Sequence, residues 1–276
     1  MVAASELSAV AAFARRHDPD RFLCALFAPA ERREALFALI AYNHELARAR
    51  EAAKTPLIAL MRLQWWREAV EHAAEGRPPR RHEVAAPLHA AITAGMLDAA
   101  DLLALADARE AEAEEAGMPT REAFAAYLRG TAGGFAVAAG RLLGAPPALL
   151  PALQQAGAAY GLAGVLRSVA ALAGQGRCLL PQDVLAEAGL TAETVVQAPD
   201  SARPVVVALA SAAETPLAQG RAALRPLGRQ AIAAALPAVL ARRDLRRLAR
   251  GAAAAAGPRS LGDRLAVMLA GITGRV

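Results

Sequence analysis

Side chains able to do chemistry are densest in the stretch Met61-Arg62-Leu63-Gln64-Trp65-Trp66-Arg67, which holds both tryptophans of the chain beside two arginines and a glutamine. On a helix Arg62 and Trp66 share a face, as do Gln64 and Glu68, because residues four apart are neighbours. Such a cluster can grip an aromatic or anionic ligand, or it can be core packing with arginine stems running outward. A second set, Asp107, Glu110 and Glu114, has spacings of three and four, so its carboxylates can converge. Magnesium is usually held by carboxylates together with a substrate phosphate. However, Glu112 and Glu115 make the same segment acidic on several sides, and a solvated face is the simpler account. The histidines at 17, 44, 72, 82 and 89 follow no metal-ligand spacing and have no cysteine companions, so no zinc or iron site is expected. Neither a glycine-rich phosphate loop after a strand nor a G-x-S-x-G elbow occurs, which sets aside dinucleotide and hydrolase chemistry.

The elements that must position these groups are helices. Alanine and leucine dominate, and the β-branched and aromatic runs that mark strands are nearly absent. From Glu31 to about Glu51, Leu36, Leu39, Ile40, Tyr42 and Leu46 recur at the intervals of one buried helix face. Thr55-Pro56 is an N-cap and first-turn pair, opening a helix whose expected inner face is Leu57, Leu60, Met61 and Gln64. Asp98 caps a helix expected to run through Glu115, and Thr120 caps the next through Leu143. Ala148 to Ala173 reads as one helix of roughly 39 Å at 1.5 Å per residue. Its Gly157, Gly161 and Gly164 call for a reason, since glycine costs about 1 kcal/mol relative to alanine inside a helix. Close helix approach or room for a bound chain would supply one. Pro181 begins a short helix, Gly189 and Thr191 break it, and breaks are expected at Gly220, Gly228 and Pro237 before a Ser260–Asp263 capping pair. No composition shift marks a boundary, so residues 1–276 are expected to form a single domain.

The net charge of +5 is unevenly spread: from Ala202 onward twelve arginines face only Glu214, Asp244 and Asp263. A basic C-terminal third suggests an anionic partner. Arg242, Arg243, Arg246, Arg247 and Arg250 fall on neighbouring helix turns, as anionic lipid headgroups would require, or they form an ordinary solvated face. Aromatic residues do not interleave with these arginines, so nucleic acid is not an expected partner. Cys24 and Cys178 have no paired spacing, which fits a reducing compartment. Met1 to Phe13 carries no basic residue ahead of its apolar stretch, which argues against a cleaved secretion signal. Every long apolar segment is interrupted, for example at Arg141, Pro151 and Arg167, so membrane contact is expected to be peripheral. The expected location is cytoplasmic, at the inner membrane face.

Longer motifs add to this. Asp20-Arg21-Phe22, then Phe27, Pro29, Arg32-Arg33 and Ala35-Leu36-Phe37-Ala38-Leu39, the Trp66-Arg67 pair, Tyr127 with Gly130-Thr131-Ala132-Gly133, and Gly164-Val165-Leu166-Arg167 followed by Gly176-Arg177-Cys178-Leu179-Leu180-Pro181-Gln182-Asp183 together resemble the squalene/phytoene synthase family. The resemblance runs from about Asp18 to the final helices. It implies an all-α isoprenoid-synthase bundle around a central cavity for long apolar chains, in which two aspartate-rich motifs on facing helices hold magnesium against a diphosphate. At the corresponding places this chain reads Ala47-Arg48-Ala49-Arg50-Glu51 and Ser168-Val169-Ala170-Ala171-Leu172. Arginine can bind phosphate but not a divalent cation. Ala41-Tyr42-Asn43 with Glu45-Leu46-Ala47, and Leu60-Met61-Arg62-Leu63-Gln64-Trp65-Trp66, are similar to the branch containing the mitochondrial complex I assembly factor of phytoene-synthase type.

The resemblance therefore implies a non-catalytic protein that binds an isoprenoid or lipid, or assembles a respiratory complex with its subunits or other assembly proteins, at an anionic membrane surface. The alternative is an active head-to-head prenyl transferase condensing two isoprenoid diphosphates through displaced carboxylates such as Glu45, Glu51, Glu68 and Asp107. Expected pocket residues, carried over by position, are Tyr42, Asn43, Glu45, Arg62, Gln64, Trp66, Arg167 and Arg177. No cofactor and no catalytic residue is expected, and magnesium enters only with the transferase alternative.

Overall fold

The computed structural model describes residues 7–113, 117–253 and 257–276 and contains, among them, helices and no strand. In chain order the helices are α1 (Ala9–His17), α2 (Pro19–Ala25), α3 (Ala30–Glu51), α4 (Pro56–Ala74), α5 (Ala85–Thr93), α6 (Ala99–Ala108), α7 (Arg121–Leu128), α8 (Gly134–Leu142) and α9 (Leu150–Arg167). They continue as α10 (Val169–Ala173), α11 (Gln182–Glu187), α12 (Ala192–Gln197), α13 (Arg203–Ala212), α14 (Glu214–Ala223), α15 (Ile232–Ala235), α16 (Pro237–Ala249) and α17 (Leu261–Thr273). Glu114 and Glu115, where the helix from Asp98 was expected to end, lie outside the described residues.

α3 is the centre of the core. Every residue from Ala35 to Asn43 is buried, so this helix is surrounded rather than laid on a surface, with α1, α4, α5 and α8 packed about it. α9, another long helix, packs against α8, α14 and α16. Between α7 and α8 the chain makes a π turn over Arg129–Gly133 where the sequence pattern gives one unbroken helix. α9 presses on that turn closely. A Cβ at Gly157 would lie 2.5 Å from the Ala132 carbonyl oxygen, and one at Gly161 would lie 2.7 Å from the Ala132 Cβ, so glycine is needed at both. Gly164, one turn on, faces open space and lines a cavity.

Several sequence expectations shift. The inner face of α4 is Ala59, Leu63, Trp66, Ala69, Val70 and Ala73, whereas Leu57, Leu60, Met61 and Gln64 point to solvent. The Trp66 ring decides it, docking edge-on against Tyr42 of α3 at 5.5 Å between centroids. The helix from Asp98 gives way at Arg109–Glu112 to a tighter 3-10 turn, which directs Glu112 into the interior. The span from Ala148 to Ala173 is interrupted at Ser168, whose N–H is shared between the carbonyls of Gly164 and Val165. Gly220 sits inside α14, Pro237 opens α16, and Gly228 marks a break. Ser260 caps α17, its hydroxyl accepting the Asp263 N–H at 3.2 Å.

Candidate functional site

The C-terminal ends of α3 and α9, the π turn and the segment around Arg177 enclose a cavity of about 260 Å³. Ala47 and Glu51 of α3 look across it at Gly161, Gly164, Arg167 and Ser168 of α9 and its break, and Leu172 closes the wall. The two short sequences singled out on α3 and after α9 thus meet at one place. A surface groove of about 730 Å³ adjoins the cavity, sharing Gly164, Arg167, Ser168 and Arg259 with it.

Five arginines and two glutamates line the cavity: Arg21, Arg109, Arg167, Arg177 and Arg259 against Glu51 and Glu112. Glu112 is buried and serves as the hub. It accepts a hydrogen bond from Arg109 Nη1 at 2.5 Å, from Tyr127 Oη at 2.8 Å and from Arg177 Nη2 at 3.4 Å. Burial pushes the Tyr127 phenol well above its ordinary pKa, and the Glu112 charge pushes it further, so it donates as a neutral hydroxyl. Arg109 also reaches Asn43 Oδ1 at 3.3 Å. Burial works against the Arg109 charge, but Glu112 and the Tyr127 oxygen outweigh it and raise the guanidinium's pKa.

The other cations are steadied from behind by an outer layer of acids. Arg21 bonds Asp18 at 2.8 Å and lies over the rings of Phe135 and Tyr160. Arg259 donates to Asp20 at 2.7 Å and to both oxygens of Asp244 at 2.8 and 2.6 Å. Burial opposes its charge as well, and the Asp244 hydrogen bonds with the field of Asp20 more than compensate, raising its pKa. Arg167 reaches Asp244 at 3.5 Å and the Gly257 carbonyl at 3.3 Å. The acids Asp18, Asp20 and Asp244 do not line the cavity, so its inner layer is cationic although the whole cluster is balanced. Two buried donors, Nε of Arg21 and Nε of Arg109, find no acceptor. A forked guanidinium layer of this kind matches the oxygens of a phosphate or carboxylate. Among the described residues no group of three or more His, Cys, Asp and Glu side chains could hold a metal ion.

The expected pocket residues fall in three places. Arg167 and Arg177 line the cavity, and Asn43 stands one shell behind through Arg109. Tyr42 and Trp66 are core residues, the Tyr42 hydroxyl donating to the Leu102 carbonyl at 2.9 Å, and Glu45 is buried beside Arg48 at 3.6 Å. Arg62 and Gln64 lie on the outer face of α4, Gln64 donating to Glu68 at 3.3 Å. Asp107 and Glu110 are largely exposed and both pair with Arg67, while Glu114 lies outside the described residues. Sequence reasoning missed Arg109, Glu112 and Arg259. Glu112 was hidden among acidic neighbours, and its only local signal is the i,i+3 pairing with Arg109.

The five arginines proposed for a membrane surface divide. Arg243 and Arg247 are tied to Asp263, each at 2.5 Å, and Arg247 also reaches Asp244. Arg242 and Arg246 line a separate groove with Arg221, whose pKa is lowered by burial and by those two like charges. Arg250 is exposed at the end of α16.

With this geometry in place, comparison with known proteins decides the lineage. The family model for squalene/phytoene synthase matches residues 14–267. The chain belongs to the squalene/phytoene synthase family. A dehydrosqualene synthase solved with a ligand superposes with a TM-score of 0.78 at 16% identity, covering 96% of this chain and 94% of that one. Squalene synthase HpnC from Alicyclobacillus acidocaldarius gives 0.73 at 17% identity, covering 87% and 92%. The all-α isoprenoid-synthase fold expected of this family is therefore the fold of this chain. Among curated relatives, NADH dehydrogenase (ubiquinone) complex I, assembly factor 6 of Mus musculus is 28% identical over 225 residues, covering 80% of this chain and 67% of that protein. Its Homo sapiens counterpart is 28% identical over 210 residues, covering 75% and 63%. The chain thus spans about two thirds of the length of the curated relatives it matches.

Proposed function

We propose that this squalene/phytoene synthase family member is a non-catalytic binding and assembly protein, holding an isoprenoid or lipid by an anionic head group and serving respiratory-complex assembly at the inner membrane face. One observation carries the reading. The cavity walls at the positions where the sequence resemblance implies aspartate-rich motifs present Ala47, Glu51, Ser168 and Leu172, together with five arginines. Departure of a diphosphate needs hard oxygen ligands that gather divalent cations against it. Glu112 is already shared by two guanidinium groups and a phenol, which leaves Glu51 as the remaining carboxylate of the lining. These residues do not fit a magnesium cluster, and no ionisation step follows from them. They fit direct binding of an oxyanion by arginine.

The transferase alternative draws little support from the geometry. Of its displaced carboxylates only Glu51 lines the cavity, while Glu68 is bonded to Arg80 and Asp107 to Arg67. The names of the curated relatives favour an assembly role, and partners among respiratory-complex components are proposed on that basis. Among the described residues no helix is long and apolar enough to cross a membrane, which is compatible with peripheral attachment.

The deciding experiment supplies farnesyl or geranylgeranyl diphosphate with magnesium to the purified protein and follows pyrophosphate release and hydrocarbon product. We expect no turnover, with binding of the same diphosphate in EDTA measured by calorimetry and lost in Arg177→Gln. Multiple turnovers with a condensed product would overturn the reading.

A further inference from the structure

We infer that α17 is an in-plane membrane anchor, its outward face dipping into the surface of a bilayer containing anionic lipid and the arginines around it meeting the headgroups. Five large apolar side chains stand in solvent on this helix: Leu261, Leu265, Met268, Leu269 and Ile272, with Leu261 77% and Leu269 64% exposed. At 100° per residue they fall in one sector about 100° wide. The opposite side is seated firmly. Asp263, Val267 and Ala270 are buried, and a Cβ at Gly271 would come within 2.4 Å of the Phe27 ring in the turn after α2. The exposed stripe therefore belongs to a fixed helix and has no partner among the described residues.

Charge selects the occupant. Asp263 is the one acid on α17, and it is buried and bonded to Arg243 and Arg247. Arg264 and Arg275 flank the stripe in solvent, and Arg229 stands beside its C-terminal end, donating to the Ile272 carbonyl at 2.9 Å. Arg15 joins Arg264 on the adjoining groove. A second copy docked on this face would bring like charges together, whereas anionic headgroups complement them. Thirteen residues make about 20 Å of helix, too short for the roughly 30 Å hydrocarbon core, so α17 lies along the surface. Docked in this way, it brings to the bilayer the groove that leads to the cavity.

The inference extends only the membrane-surface part of the proposed function, and the pyrophosphate assay does not read it. Its test is co-sedimentation with phosphatidylcholine vesicles made with and without phosphatidylglycerol. The protein is expected to partition onto the anionic vesicles and to be released by salt. Replacing Leu265→Glu and Leu269→Glu together should weaken partitioning by about tenfold or more at an unchanged melting temperature, since both side chains are exposed. Leu57→Glu with Met61→Glu, on the exposed start of α4, should leave it unaltered. Leu265→Trp fluorescence should be quenched by brominated lipid. Failure of the protein to partition, equal binding by the α17 double variant, or loss of binding in the α4 variant alone would sink the inference. So would a solution dimer that the α17 substitutions abolish, because a second copy would then be the occupant.

Discussion

Glu112 and Asp263 are both buried acids gripped by two arginines and a hydroxyl, yet they do different work. Glu112 joins Arg109, Arg177 and Tyr127 on the wall of a cavity whose lining residues Arg21 and Arg109 each keep a buried Nε–H without an acceptor. Asp263 joins Arg243, Arg247 and Ser260 at the first turn of α17, outside the lining of that cavity. On the proposed ligand-binding reading, the same ion-pair chemistry gives an exchangeable group in one place and a fastening in the other. At Glu112 an incoming anion can satisfy the same donors. At Asp263 the acid also accepts from the Ser260 hydroxyl that caps α17 and sits at the positive end of the helix dipole, so it is fixed by three effects together.

Removing the Glu112 charge should produce the largest effect and separate the two regions most clearly. Glu112→Gln leaves Arg109 buried without its counter-ion, and we expect a stability loss of about 2 to 3 kcal/mol in denaturant unfolding. Because the cations left behind face a cavity, farnesyl diphosphate should restore more stability to this variant than to the original chain. Equal ligand stabilisation of the two would make Glu112 a fastening like Asp263.

What the sequence made legible follows the range of the interaction. One buried face of α3 was readable because Leu36, Leu39, Ile40, Tyr42 and Leu46 repeat at the helical period, though not the burial on all sides from Ala35 to Asn43, and the Ser260 cap was readable because its partner is three residues away. The facing of α4 was not, since Leu57, Leu60 and Met61 repeat as regularly as Leu63, Trp66 and Val70, and only the tertiary contact of Trp66 with Tyr42 chooses between them. No glycine or proline announces the break at Ser168. The cavity was legible as motif positions, including Arg167 and Arg177. Its wiring was hidden, because Arg177 meets Glu112 across 65 residues and Arg259 meets Asp20 across 239. Local patterns carry no information about pairs at such separations.

Asp263→Asn should cost less, about 1 to 2 kcal/mol, because the Ser260 cap and the apolar underside of α17 remain. Burial favours the protonated acid, but hydrogen bonds from Arg247 and Arg243 outweigh it and hold the Asp263 pKa well below the usual carboxylate range. The folded value thus lies below the unfolded value of about 3.9, so the stabilisation is complete above that pH and is lost as pH falls toward the folded pKa. Thermal melts taken from neutral pH down into acid should show the original chain converging on the variant below about pH 4. A constant gap across that range would assign the effect to packing. Diphosphate should not close the gap, in contrast to Glu112→Gln.

Tyr127→Phe tests the comparison at its finest. The phenol gives Glu112 one neutral hydrogen bond at 2.8 Å, and its ring packs with Phe124 and Leu179 in a small apolar cluster that phenylalanine can still fill. The expected loss is about 1 kcal/mol, that of a single hydrogen bond to a carboxylate still held by two arginines. A Tyr127→Phe/Glu112→Gln double-mutant cycle measures the coupling: a loss in the pair smaller than the two single losses added together places the hydroxyl on Glu112. Simple addition of the two losses would mean that the hydroxyl acts elsewhere than on Glu112, and that Glu112 is held by arginine alone.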